Sequence, residues 1–193
     1  MSWADKTVGL IAVNESFRSD ERGTHDLAGV IGERQFLTIA TAEVARARRY
    51  GRQLSCLLID VDLSTTLGGS SGRSDLMLRH FVSICRSMLR ASDYMGCVGD
   101  QFVVMLPETP LLSAFAAAER ILAHLAASTS DELQHHLAAM TSIGVAELDE
   151  QIRSLDLLLE AAAAAMTEAK KNGRNQAVCY LDDLPLASTS TVN

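Results

Sequence analysis

The sequence predicts a mixed α/β (α+β) chain, a central sheet covered by helices. Three observations carry this expectation. Helical and strand-like apolar patterns alternate along the chain. The strand-like runs are short and almost wholly apolar, as in Leu54–Val61 (LSCLLIDV), which suits buried strands. The helical runs are separated by start and stop signals such as Thr109-Pro110 and Asn172-Gly173.

The elements follow in order. Glu33 to Tyr50 places Phe36, Ile39, Ala40, Val44 and Ala47 at helical spacing, with arginines on the other side. Leu54 to Val61 is a buried central strand. Asp75 to Leu89 is a helix with Leu78, Phe81, Val82, Cys85 and Leu89 on one face. Phe102 to Leu106 is a second strand, stopped by Pro107. A helix then starts at Thr109-Pro110, with Thr as its cap and Pro in its first turn, and runs to about Ala127. Met140 to Ala146 is a third strand. Leu155 to Lys171 is an Ala-rich helix that ends at Asn172-Gly173. Gln176 to Leu181 is a last strand. Val8 to Val13 could add a short strand or packing segment. The polar stretch Asn14 to Thr24 reads as a lead-in, and the residues from 182 to 193 as a disordered tail. One domain over residues 25–181 is therefore expected, after a lead-in over 1–24.

Composition narrows the function. Of 193 residues, 48% are hydrophobic and 5% aromatic, enough for an aliphatic core. The formal charge of −7 argues against a general nucleic-acid binder. It leaves room for a small anionic ligand held by a local Arg cluster. The four cysteines, Cys56, Cys85, Cys97 and Cys179, form no CxxC pair and fit no zinc pattern. Cys56 and Cys85 read as reduced core residues, and His135-His136 as a polar loop. No signal peptide or membrane-spanning run is read, so a cytoplasmic protein without membrane contact is expected.

Three segments carry candidate chemistry. Asp60 and Asp62 lie two apart at a strand end, so both carboxylates point to one side. Mg²⁺ bound to a triphosphate takes few carboxylates and suits such a place, but so does a solvated strand end. Arg90 and Asp93 (Arg90-Ala91-Ser92-Asp93) can converge on one turn. Arg can donate two bonds to the O6 and N7 edge of guanine, and Asp can accept from its N1–H and N2–H₂ groups. On these residues alone, a helix-end salt bridge is the stronger reading. Lys170 and Arg174 bracket a helix end, where they could hold phosphates or simply complement the helix C-terminus.

Taken together, these segments resemble the GGDEF, or diguanylate cyclase, family over about residues 25 to 181. His25 to Phe36 (HDLAGVIGERQF) is similar to its opening D-x-L-T-G-L-x-N-R-R-x-F. LLIDVD at 57–62 is similar to its LLIDID strand. Val98-Gly99-Asp100-Gln101-Phe102 stands where GG(D/E)EF belongs and is followed by Val103-Val104-Met105-Leu106-Pro107. Ala118 to Ile121 resembles its AERI helix, Ser142 to Ala146 its S-(I/V)-G-(V/I)-A strand, and Ala169 to Asn175 its AK-x-x-GRN ending.

The resemblance implies a mostly antiparallel five-stranded sheet surrounded by helices. It also implies a domain related to enzymes that join two GTP molecules into cyclic di-GMP with Mg²⁺. Asp60 and Asp100 match the metal carboxylates, Asp62 the second acid of the strand, Lys170 and Arg174 the phosphate cations. Asp75, after a short gap, matches a guanine-binding Asp. The departures are Val98 for the first signature glycine, Gln101 for the fourth signature residue, Gly68 for a guanine-binding Asn, Gly96 for an Arg before the signature, and Gly32-Glu33 for the opening Asn-Arg pair. In the family the signature hairpin lies against the nucleotide, where a Val98 side chain would collide. Losing several contacts at about 1–3 kcal/mol each would cut GTP turnover by orders of magnitude. Arg90 and Asp93, with Arg120, match the family's R-x-x-D product site, on a turn one residue short.

The expectation is therefore a catalytically inactive domain that needs no cofactor. It would bind cyclic di-GMP through Arg90, Asp93 and Arg120, with Asp60, Asp75, Asp100, Lys170 and Arg174 vestigial. Ligand would act through a partner protein, in signalling or biofilm control, or would bridge two copies. Two alternatives stand beside it: a weakly active diguanylate cyclase using Mg²⁺, and a nucleotide-independent interaction module.

Overall fold

The computed structural model describes residues 27–63, 71–127 and 137–181. The Val8–Val13 segment, the lead-in, His25, Asp26, Gly68, His135-His136 and the tail lie outside them.

Four helices and five strands follow one another among the described residues: α1 (Glu33–Tyr50), β1 (Leu54–Val61), α2 (Ser71–Met88), β2 (Tyr94–Val98), β3 (Gln101–Pro107), α3 (Leu111–Ala127), β4 (Thr141–Glu147), α4 (Leu155–Lys171) and β5 (Gln176–Cys179). The strands form one sheet in the order β2-β3-β1-β4-β5. β1 is central and antiparallel to both β3 and β4, β2 and β3 form a hairpin, and only β4 and β5 run parallel. The mostly antiparallel five-stranded sheet agrees with the expectation.

Side-chain alternation splits the core in two. Leu54, Cys56 and Leu58 of β1 join Phe36, Ala40 and Val44 of α1 and Leu158, Ala162 and Met166 of α4. Leu57 and Ile59 face the other way, onto Phe81 and Cys85 of α2 and Ala118 and Ile121 of α3. So α1 and α4 cover one face and α2 and α3 the other. α4 lies so close to β4 that a Cβ on Gly144 would stand 1.9 Å from the Ala162 carbonyl oxygen. The glycine is there because backbone meets backbone. All three fully described core thiols are pushed up by burial, Cys56 and Cys97 to about 12, in keeping with reduced structural cysteines.

Four details correct the sequence reading. Tyr94–Val98, which the sequence reading assigns to no element, is strand β2. Its order comes from the ladder with β3, where Met95 meets Val104 and Cys97 meets Phe102, which local propensity does not encode. Helix α2 begins at Ser71, not Asp75, so Asp75 lies one turn inside a helix. Thr109 does not cap α3: its hydroxyl donates to the Pro107 carbonyl at 2.9 Å and accepts no N–H of the helix. The first N–H of that helix, at Leu111, instead donates to the Glu147 carboxylate at 2.8 Å, a partner brought by β4 from far along the chain. The last strand stops at Cys179, two residues short of Leu181.

Candidate functional site

Two corners of the fold hold the candidate side chains. The first lies where β1 ends, beside the end of α4 and the β2–β3 turn. The Lys170 ammonium is 3.0 Å from the Asp60 carboxylate, and the Arg174 guanidinium is 3.0 Å from that of Asp62. Arg174 reaches Asp62 from the turn that stops α4, with a left-handed φ of 62°. The side chains of Asp60 and Asp62 are largely buried, those of Lys170 and Arg174 more open, so the cations form the outer layer.

Asp100 comes from the turn between β2 and β3. Phe102, two residues on, anchors that turn by stacking in tilted fashion on Phe81, with ring centroids 4.9 Å apart. Burial raises the Asp60 carboxyl above its ordinary range, Lys170 opposes the rise, and the charges of Asp100 and Asp62 add to it. Asp100 Oδ1 is buried and has no hydrogen-bond partner, and neither has Ser142 Oγ, which lies directly across the ladder from Asp60. Sequence reasoning missed Ser142. Its place in the Ser142-Ile143-Gly144-Val145-Ala146 strand was recognised, but the alternation that sets it on the Asp60 face was not followed.

An excess of buried negative charge with an unbonded carboxylate oxygen suits a divalent cation. No group of three or more metal-ligating side chains occurs among the described residues. The fit is therefore to Mg²⁺, which accepts one or two carboxylates and completes its shell with water and phosphate oxygens. Asp60 and Asp100 would hold it, beside the Lys170 and Arg174 cations already paired with Asp60 and Asp62. Asp75 is exposed on α2 and is not among the charges that act on Asp60.

Between this corner and the second lies a tightly filled strip. Gly96 of β2 sits under Phe36, so that a Cβ there would come within 2.3 Å of the ring. Val98 is only 3% exposed and belongs to the core on the α1 side. Gln101 is buried as well. Gly32 caps α1 without a side chain, and the Glu33 carboxylate next to it accepts the Gly99 N–H of the signature turn at 3.1 Å. That contact carried no sequence signal beyond the charge reversal at position 33.

The second corner is the turn after α2. The Asp93 carboxylate accepts the Arg90 N–H at 2.7 Å and the Ser92 hydroxyl at 3.2 Å, while the Asp93 N–H donates to the Arg90 carbonyl at 3.1 Å. Asp93 is thus a buried turn clamp, 7% exposed. The Arg90–Asp93 ion pair weighed as the alternative does not form; the backbone of Arg90 is the partner, and Arg90 is exposed. Arg120 crosses from α3 and donates to the Met88 carbonyl at 3.3 Å. Two exposed arginines, Arg90 in the turn and Arg120 on α3, thereby stand at one end of α2.

The family model described as "Diguanylate cyclase, GGDEF domain" matches residues 24–176. Response regulator PleD of Caulobacter vibrioides is 33% identical over 161 residues, 80% of this chain and 35% of the relative. Diguanylate cyclase A of Treponema denticola is 27% identical over 187 residues, 94% of this chain and 50% of the relative. The chain thus spans half or less of the length of these relatives. The active GGEEF domain of a diguanylate cyclase from Vibrio cholerae superposes with a TM-score of 0.73 at 25% identity, covering 80% of this chain and 99% of that domain.

Proposed function

The chain belongs to the GGDEF diguanylate cyclase family of cyclic di-GMP signalling, and within it we propose that this domain receives cyclic di-GMP rather than making it. The observation that carries the reading is the end of α2. There a preformed turn clamped by Asp93 carries the exposed Arg90, and Arg120 reaches the same helix end from α3 to donate to the Met88 carbonyl. Exposed guanidiniums at fixed positions suit bidentate contacts to phosphate and to guanine edges. A ligand with two guanines and two phosphates offers several such edges, and a pair of ligands could bridge two copies of the domain or a copy and a partner protein.

The strip beside the signature supports the other half of the proposal. Phe36 stands over Gly96 and Glu33 occupies the Gly99 N–H, whereas Val98, expected to collide with a nucleotide, is turned into the core instead. A substrate nucleotide would meet a carboxylate and a filled surface where it needs donors and room. Titration calorimetry with cyclic di-GMP tests the proposal. Binding is expected in the wild type, with about 1.5–3 kcal/mol lost in Arg90→Ala, the range for a charged hydrogen bond. A wild type that does not bind would sink it.

A second reading is favoured by the first corner, where Asp60, Asp100, Lys170 and Arg174 are assembled. It takes the domain as a weak diguanylate cyclase, or as one that still holds a Mg²⁺–triphosphate. When bound, Mg²⁺ would neutralise phosphate charge and polarise the reacting phosphoryl group. Asp60 and Asp100 would orient it, and Lys170 and Arg174 would steady the phosphates. Incubation with GTP and Mg²⁺ or Mn²⁺, followed by chromatography, decides between the readings. Product that disappears in Asp100→Ala favours the cyclase.

A further inference from the structure

Buried hydroxyls among the described residues are bonded, with one exception. Ser55 Oγ donates to the Thr109 carbonyl at 2.8 Å, Thr109 Oγ1 to the Pro107 carbonyl at 2.9 Å, and Thr141 Oγ1 to the Leu137 carbonyl at 2.6 Å. Ser142 is 0% exposed, and among the described residues its hydroxyl alone has no partner. Its position is specific. The β1–β4 register sets Ser142 opposite Asp60, and directly opposed residues of an antiparallel pair point to one face with Cβ atoms about 4.5–5.5 Å apart. Its neighbour Ile143 and then Val145 turn into the core under α2 and α3, so Ser142 faces α4, the helix that brings Lys170. A second unbonded oxygen, Asp100 Oδ1, is buried, and its charge acts on the same Asp60.

We infer that Ser142 is a positioning residue of the carboxylate corner, its hydroxyl bonding a water in the shell of a divalent cation held by Asp60 and Asp100. This rests on the carboxylate-corner reading and is independent of cyclic di-GMP binding. Two carboxylate oxygens cannot satisfy one another, since both only accept. A lone water between Ser142 and Asp60 would satisfy the hydroxyl but leave the Asp60–Asp100 repulsion in place. A cation relieves that repulsion. Because Mg²⁺ and Mn²⁺ keep water in their shell at two-carboxylate sites, a shell water can take the hydroxyl as one of the two to four partners it needs.

The test is Mn²⁺ titration of the full chain followed by electron paramagnetic resonance, with melting temperatures taken in chelator. Ser142→Ala is expected to weaken Mn²⁺ about ten- to hundredfold, the usual effect of losing an outer-shell partner. Its metal-free melting temperature should equal or exceed that of the wild type, because an unbonded buried hydroxyl has been removed. Undiminished Mn²⁺ affinity in Ser142→Ala overturns the inference. So does weaker binding that comes with a lower metal-free melting temperature, which assigns Ser142 to the fold alone. Asp60→Asn separates the two levels. If the wild type binds no Mn²⁺, or Asp60→Asn binds it unchanged, the carboxylate-corner reading fails and the inference falls with it.

Discussion

The two corners of the site solve opposite problems. At the Arg90 turn the acidic group is saturated: Asp93 accepts from the Arg90 N–H and from Ser92, and the guanidiniums of Arg90 and Arg120 are exposed. At the end of β1 the basic groups are engaged, Lys170 on Asp60 and Arg174 on Asp62, while oxygens of Asp100 and Ser142 are unbonded. On the proposed readings, one corner offers guanidinium donors to an anion and the other offers unbonded oxygens to a cation. An unsatisfied polar atom that is buried costs stability, so one that persists calls for a further partner, water or ligand. A saturated clamp stabilises with or without ligand. The same residue types therefore carry different meanings, and burial tells them apart.

The largest effect is expected in the strip between the corners. Gly96→Arg would restore the family's residue there, but its Cβ would lie within 2.3–2.8 Å of Phe36 side-chain atoms. Overpacking together with a guanidinium forced toward the core should cost about 3 kcal/mol or more. For a domain of this size that lowers the melting temperature by about 6–12 °C. Thermal unfolding checks it. A melting temperature unchanged from the wild type would mean that Phe36 yields easily, and that the strip is not what separates this domain from GTP.

Next in size comes a contrast within the Arg90 turn. Asp93→Ala leaves the Arg90 N–H without its carboxylate and should cost about 1–3 kcal/mol. Arg90→Ala removes an exposed side chain and should stay within about 0.5 kcal/mol of the wild type. Urea denaturation measures both. Equal losses would erase the distinction between clamp and ligand contact. With the distinction intact, Arg90→Ala becomes the clean probe of cyclic di-GMP binding.

Much of this was legible in the sequence, for stated reasons. Apolar periodicity located α1, β1 and α4 to the residue, and the Asn172-Gly173 stop marked the end of α4. The union of Asp60, Asp62, Lys170 and Arg174 was legible only through resemblance, since the Arg174–Asp62 contact joins residues 112 positions apart. Strand β2 was not legible. Tyr94–Val98 holds a glycine and no alternation, and its order comes from β3 and from Ile31, which exchanges backbone bonds with Met95 and Cys97. The role of Asp93 was half legible: the R-x-x-D spacing marks the turn but not that the carboxylate bonds backbone rather than guanidinium. Glu33 on Gly99 and the unbonded Ser142 belong to the tertiary fold alone.

The smallest effect is a slope with pH, and it tests the cation corner directly. Burial and the charges of Asp100 and Asp62 raise the Asp60 carboxyl, and Lys170 only partly offsets them. The native state then holds the Asp60 proton more tightly than the unfolded chain does. A group raised on folding contributes stability below its unfolded value, and that contribution is lost as pH climbs through its folded value. Metal-free protein should therefore lose a little stability as pH rises from the ordinary carboxylate range, and Asp60→Asn should remove that slope. Adding Mn²⁺ should remove it too, because a cation favours the ionised carboxylate. Urea midpoints across that pH range, with and without Mn²⁺, provide the measurement. A slope that survives in Asp60→Asn would assign it to other carboxyls. One that is unaltered by Mn²⁺ would mean that Lys170 alone serves as the counter-ion, and the corner would then resemble the Arg90 turn, with its polar groups already complete.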